Sequence, residues 1–244
     1  MVLEKVAAGE PFDPSAEMHN ATVDTIVGFR RHQQAIGAAP IHELPRVGYI
    51  LVQNDSGGTV PRFGVLGLGD PPILPTTNLA EWQNRIVLKG TTPATADHLA
   101  KFAVLLEPLA AGKVGPAVIS GVVNMQVNID AAWHEFADVE DTVATHLKSR
   151  PYGAGRILWA ATGTGIQYAS VLLGPPGGQT WWRATLGATL NQGSTANATL
   201  TGPGAVVSVT DNYLGAAESI ASAEKIGVQY DFAADTYYAT EAEC

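Results

Sequence analysis

Four places in the chain hold residue types that can do chemistry. Asn54-Asp55-Ser56-Gly57-Gly58 sets a serine hydroxyl beside a carboxylate and two glycines, and such a serine becomes a nucleophile only when a histidine base reaches it. The histidines upstream are His19, His32 and His42, none in a context that suggests a catalytic base. A tight turn demands the same residue types for backbone reasons. His98, His134 and His146, with Asp97, Glu135 and Asp138 near them, are the metal-ligand types of the central chain. No two of these histidines share a ligand spacing on one element, and His134 and Glu135 point to opposite faces of a strand. Gly163-Thr164-Gly165 lacks the third glycine and following helix of a dinucleotide loop. Trp181-Trp182-Arg183 joins the residue types that concentrate binding energy at interfaces.

These patterns predict no catalytic residue, no cofactor and no metal, and so a protein that is not an enzyme. The chemistry they favour is contact. Adjacent tryptophans in a strand face opposite sides, which leaves three readings of Trp181, Trp182 and Arg183: an interface anchor, a sugar-stacking platform, or a two-sided core strand. Arg156, beside Ile157-Leu158-Trp159, is a candidate interface arginine. Cys244 is the single cysteine, which excludes an internal disulfide and a cysteine metal cluster.

The elements that must position these residues follow from composition and pattern. Charged residues make up 15% of the 244 and hydrophobic residues 46%, against about 25% charged in an ordinary globular chain. A charge-driven disordered chain and a solvated helical rod are thereby excluded. With 26 glycines and 15 prolines, the chain reads as many short elements joined by turns. Its net charge of −9 argues against nucleic acid as partner, since phosphate binding needs a positive surface. No apolar run reaches the roughly 18 residues of a membrane span, and residues 1–15 lack the apolar core of an export signal. Charge is unevenly spread: no carboxylate lies between Asp141 and Asp211, where Lys148, Arg150, Arg156 and Arg183 give +4, whereas Asp211 onward sums to −6. That asymmetry suits a tail laid against a neighbouring subunit, or a low-charge segment that is simply covered.

Asp13-Pro14 is a helix start, capped by Asp and opened by Pro. Ala16, Val23, Ile26 and Val27 then form one narrow apolar stripe, ending near Gly37. So thin a seam cannot fold alone. Val23, Ile26 and Val27 are therefore expected to anchor on another surface, with Asn20 as a polar residue that fixes register. From Arg46 the pattern is β: a hairpin with its turn at 54–58, a long strand over 114–129 with a corner at Gly121, and a hairpin over 156–174 with its tip at Gly163–Gly165. The expected fold is mainly β: a short-stranded β-barrel or sandwich body with an N-terminal helical arm. The expected division is an arm over 1–40, a β domain over 41–173, a Gly/Pro linker over 174–180, and a smaller β domain with an acidic tail over 181–244. A short helix is expected within 215–225, and no sequence repeat is visible.

The layout resembles virion structural proteins of tailed bacteriophages and prophages, of the tail, neck, fibre-adaptor or capsid-decoration type. The resemblance is carried by Val6-Ala7-Ala8-Gly9-Glu10-Pro11 leading through Asp13-Pro14 to Asn20 and Val23-Asp24, and by Gln53-Asn54-Asp55-Ser56-Gly57. Arg62-Phe63-Gly64-Val65-Leu66-Gly67, Phe102-Ala103-Val104-Leu105-Leu106-Glu107-Pro108, Gly115-Pro116-Ala117-Val118-Ile119-Ser120-Gly121, and Leu147-Lys148-Ser149-Arg150-Pro151-Tyr152-Gly153 with Arg156-Ile157-Leu158-Trp159 continue it. It covers roughly residues 1–175, through turn and packing signatures. It implies a structural component of a phage particle that acts by subunit contacts, found in the virion and made in the host cytoplasm. Its partners are then further copies of itself, as a trimer or higher by analogy, and other virion proteins. A carbohydrate-binding module that meets host glycans through exposed tryptophans is the alternative, and a hydrolase using Ser56 is a third.

Overall fold

The computed structural model describes residues 22–28, 48–212, 214–215 and 218–242. The chain divides into two compact units, 1–44 and 45–244. In the first, residues 22–28 form a helix, α1, whose described side chains are exposed. The remainder of the expected helix, with Asn20, lies outside the described residues.

The second unit is mainly β. Its strands are β1 (Gly48–Asn54), β2 (Val65–Leu68), β3 (Val87–Thr91), β4 (Phe102–Leu105), β5 (Val114–Ile129), β6 (Phe136–Asp138), β7 (Leu147–Arg150), β8 (Tyr152–Ala160) and β9 (Gly165–Gly178), followed by β10 (Trp181–Leu186), β11 (Leu190–Asn191), β12 (Thr195–Leu200), β13 (Val206–Asp211), β14 (Ser219–Ile220), β15 (Lys225–Asp231) and β16 (Thr236–Ala242). Two short helices, α2 (Leu79–Asn84) and α3 (Thr95–His98), sit in the connections of the first five strands. Asn78 caps α2 by accepting the Glu81 amide, the ordinary service of an Asn at that position.

The first nine strands form one sheet that closes twice. β1 pairs with β5 and β5 pairs with β9 in addition to the sheet order. The result is two five-stranded rings, β1-β3-β2-β4-β5 and β5-β7-β6-β8-β9, that share β5. Their connectivity is identical: in each, the first and third strands are parallel and every other pair is antiparallel. A third ring closes as β10-β12-β13-β16-β15, with β13 and β16 its one parallel pair. This third ring has the order of the OB-type Greek-key barrel, and the first two are circular permutations of it, in which the strands that fill its first two places come last in the chain. A repeat that the sequence does not display is therefore present in the topology.

Each ring has a core, and that of the second extends to Val65, Phe102, Val104 and Val118 of the first ring's strands. Val52, Leu66, Leu68, Ala103, Leu105 and Ala117 fill the first; Val127, Ala137, Leu147, Ala169 and Val171 belong to the second; Trp182, Leu186, Leu200, Val209, Ile226 and Val228 belong to the third. Burying each of the valine, leucine and isoleucine side chains contributes about 1.5–3 kcal/mol relative to exposure. On β10 and β12 the period-two pattern that puts these residues inside puts their neighbours outside, whereas β2 and β4 are buried on both faces.

Several expectations hold and several do not. Gly121, at φ 104°, is the corner: β5 pairs with β1 up to Ser120 and with β9 from Gly121 onward. The hairpin of β8 and β9 turns through Gly163 and Gly165, both at positive φ. The expected hairpin at 54–58 is not formed, because β1 pairs with β3 and β5 and never with β2. Asn54 there holds a turn: its Nδ2 donates to Gly58 and Leu109 carbonyls at 2.8 and 2.7 Å. The expected linker at 174–180 is strand as far as Gly178, which pairs with Tyr152. Extended backbone accommodates Pro175 and Pro176 where no ladder bond is required of them. In place of the expected helix at 215–225, Ser219–Ile220 pairs with β11 and Lys225 opens β15.

Candidate functional site

β10 alternates as its period demands. Trp182 points inward and is 4% exposed, whereas Trp181 is 43% exposed and Arg183 also faces out. Trp182 stands edge-on to Trp133 and to Tyr237, with ring centroids 6.0 Å away in both cases. It is a core residue of the third ring, which removes it from the expected contact set and leaves no tryptophan pair at this site for a sugar or a partner. Arg156 lies on the outer face of β8, in register with Leu172 of β9. Val23, Ile26 and Val27 are exposed on α1.

The residues first weighed for catalysis are held by structural bonds. Ser56 Oγ donates to Asn54 Oδ1 at 2.6 Å. Ala94 N–H donates to His98 Nδ1 at 3.0 Å. His146 contacts Glu140 Oε2 at 3.2 Å and Thr145 Oγ1 at 3.0 Å. Asp138, fully buried, accepts the amides of Ala100, Val139 and Ala154; burial pushes its pKa up against the pull of those donors. Among the described residues no group of three or more His, Cys, Asp or Glu side chains is placed to hold a metal ion, and no helix is long and apolar enough to cross a membrane.

The uneven charge of the sequence meets within one chain. At the junction of the second and third rings, Lys148 Nζ lies 2.8 Å from Asp235 Oδ2, and Arg150 Nη1 lies 3.2 Å from Asp235 Oδ1. Tyr230 Oη donates to Asp235 Oδ1 at 2.6 Å, and Arg150, 3% exposed, also donates to Tyr230 Oη at 3.3 Å. Burial alone would raise the Asp235 pKa; the hydrogen bonds from Lys148 and Tyr230 and the two positive charges outweigh it and hold the carboxyl below its ordinary value. Burial and the neighbouring Asp235 push the Tyr230 phenol up, so it stays a donor. His134, whose Nδ1 is 3.1 Å from Ser149 Oγ, is lowered by burial. Ser149 is itself fully buried and accepts the Asp130 amide. This cluster fastens the β15–β16 turn to β7; Arg150 also donates to the Phe232 and Val139 carbonyls, while its buried Nε has no hydrogen-bond partner.

Two outer sheet faces are left open. On the first ring, Leu51 stands between Val87 and Pro116, and Gln53 between Lys89 and Val114. Tyr49, Leu51, Val114 and, just before β3, Ile86 are exposed. On the second ring, the outward positions of β5 are Val122, Asn124, Gln126 and Asn128, those of β9 are Ile166, Tyr168, Ser170 and Leu172, and β8 contributes Trp159. Trp159 is 60% exposed and Tyr168 70%. Arg62 and Phe63, from the loop between β1 and β2, wall this face into a groove of about 610 Å³.

The sequence pointed away from this groove. Its signal was the alternation Asn124-x-Gln126-x-Asn128 within an apolar strand, together with Trp159 and Tyr168 on the two arms of a hairpin. Only the pairing of β5 with β9 puts the two on one face.

No match exists among protein-family models, curated proteins or solved structures. The topology of a small barrel assigns no function by itself, so the reading rests on the faces just described.

Proposed function

We propose that the chain is a structural component of a phage-type particle, a tail or neck adaptor, fibre base or decoration subunit, acting through contacts between subunits. The observation that carries this reading is the apolar outer face of the first ring. Val87, Leu51 and Pro116 form one row on this sheet surface, with Val114 next to Pro116 along β5 in the row of Gln53 and Lys89, and with Tyr49 and Ile86 exposed nearby. Continuous apolar area on an outer face marks a contact surface. The exposed apolar positions of α1 support an anchoring arm over residues 1–40, with Val23, Ile26 and Val27 as its contact residues. Trp181 is the remaining tryptophan of the C-terminal contact set, with Arg183 and Arg156 as outward arginines. The buried polar clusters support a non-enzymatic role, since their members serve to fasten one element to another. The partners are other copies of this chain and other virion proteins, and the location is the virion, after synthesis in the host cytoplasm.

Mass measurement by light scattering on the full chain tests this. A defined oligomer that dissociates in the pair of variants Leu51→Asp and Val114→Asp, and on deletion of residues 1–37, is the expected result. A chain that is monomeric both as the parent and in all of these variants overturns it.

A further inference from the structure

We propose that the groove on the outer face of the second ring binds a saccharide, with a pyranose ring stacked on Trp159 and its hydroxyls paired to the side-chain amides of β5. Register defines the arrangement. Trp159 lies directly across from Ser170, and Ser170 from Asn124, so these three form one row over β8, β9 and β5. Tyr168 and Gln126 form the next row. Trp159 and Tyr168 are therefore diagonal neighbours on one face, at roughly 7–8 Å and within reach of a shared ligand. Both rings are mostly exposed in a strand environment that ordinarily buries them.

The polar side of the groove is pre-set. Ser170 Oγ donates to Asn124 Oδ1 at 2.7 Å, which orients the amide and leaves its NH2 group as a donor. Among the described residues neither that NH2 nor the Gln126 amide has a protein partner. A carboxamide offers a donor and an acceptor in one plane, the complement of two vicinal hydroxyls. An aromatic face offers the apolar counterpart of a pyranose's C–H side. A protein contact face of this size would carry its apolar residues through the centre, as the first ring does; here the centre is amide and hydroxyl.

The opposite wall has a further mark. Phe63 has φ 63°, a conformation that disfavours bulky side chains. Backbone outliers of this kind gather at ligand sites. It is held by its amide donating to Leu105 at 2.8 Å, and the Arg62 guanidinium lies 4.6 Å over its ring. Arg62 is the sole charged residue of the lining and has no carboxylate partner among the described residues, so the groove accepts neutral or carboxylated sugars and disfavours amino sugars that carry a positive charge.

The test uses the full chain and four soluble probes: maltohexaose, cellohexaose, chitotetraose and sialyllactose. Each is titrated against tryptophan fluorescence and checked by calorimetry. Saturable binding to at least one probe is expected, weakened at least about ten-fold by Trp159→Ala and by the double change Asn124→Ala with Gln126→Ala, retained in Trp159→Phe and unchanged in Trp82→Ala, an exposed tryptophan of α2. The variants are also weighed by light scattering. No binding across the four probes overturns the proposal, as does binding indifferent to Trp159→Ala. A Trp159→Ala chain that loses its oligomer and binds no sugar to begin with makes the groove a subunit contact and likewise overturns it. Because assembly is read through Leu51 and Val114 on the other ring, failure here leaves the structural role standing.

Discussion

The first and second rings are built alike and present opposite surfaces. Strand for strand they share order, sense and the single parallel pair, and each closes over aliphatic side chains such as Leu66 in one and Leu147 in the other. Outside, the first ring shows Leu51, Val114 and Pro116, while the second shows Asn124, Gln126, Trp159 and Tyr168. Topology constrains what points in and leaves the outward residue of each pair unconstrained. Whatever distinguishes the two rings in function must therefore lie on their outer faces.

The largest effect is expected where the rings agree. Leu66→Ala and Leu147→Ala each cost about 2–5 kcal/mol by urea unfolding, and a chain that tolerates one but not the other would break the equivalence. The third ring is attached by aromatic packing of Trp133 and Tyr152 and, in addition, by charge at Asp235. Asp235→Asn leaves Arg150 buried beside a neutral partner and costs about 2–4 kcal/mol. The same carboxylate sets a pH response. Its folded pKa is below the ordinary 3.8, so its contribution is fully present above that value and is lost as pH falls through the folded pKa. Acid titration followed by tryptophan fluorescence is expected to release the third ring first, and Asp235→Asn removes this step.

The shared corner gives a smaller effect. Gly121→Ala forces φ 104° on a residue with a Cβ, at about 1–2 kcal/mol, and lowers the stability of both rings together by hydrogen exchange. The smallest effect on stability is expected at the faces themselves. Leu51→Asn and Tyr168→Ala stay within about 0.5 kcal/mol of the parent in thermal melts, and only the first lowers the oligomer mass.

The β character, the corner at Gly121 and the inward turn of one tryptophan were legible in the sequence, because each depends on a local rule. Period two puts adjacent tryptophans on opposite faces without saying which of Trp181 and Trp182 is inside, and a lone glycine in a long strand marks a bend. The pairing was not legible. Asn54–Gly58 has the residues of a hairpin turn, but the partner of β1 is decided by β3 and β5, more than 30 residues away in sequence. The Gly/Pro stretch at 174–178 was misjudged for a related reason: residue type limits hydrogen-bond donors, while the ladder at that end of β9 requires few of them. The ring repeat is invisible because it resides in strand order, for which aliphatic residues are interchangeable. The amide row on β5 and the aromatics of β8 and β9 become one surface only after the second ring closes.

β5 has 16 residues and at about 3.4 Å each extends for roughly 50 Å before its bend is counted. Because it is a wall of both rings, no peptide segment outside hydrogen-bonded structure separates them. Neither can swing on the other, and a register slip in one would have to displace every rung in its neighbour. Tension applied to one end of this pair therefore travels along covalent backbone rather than across a sliding contact, and the two rings should yield together, in one event, when the chain is pulled apart.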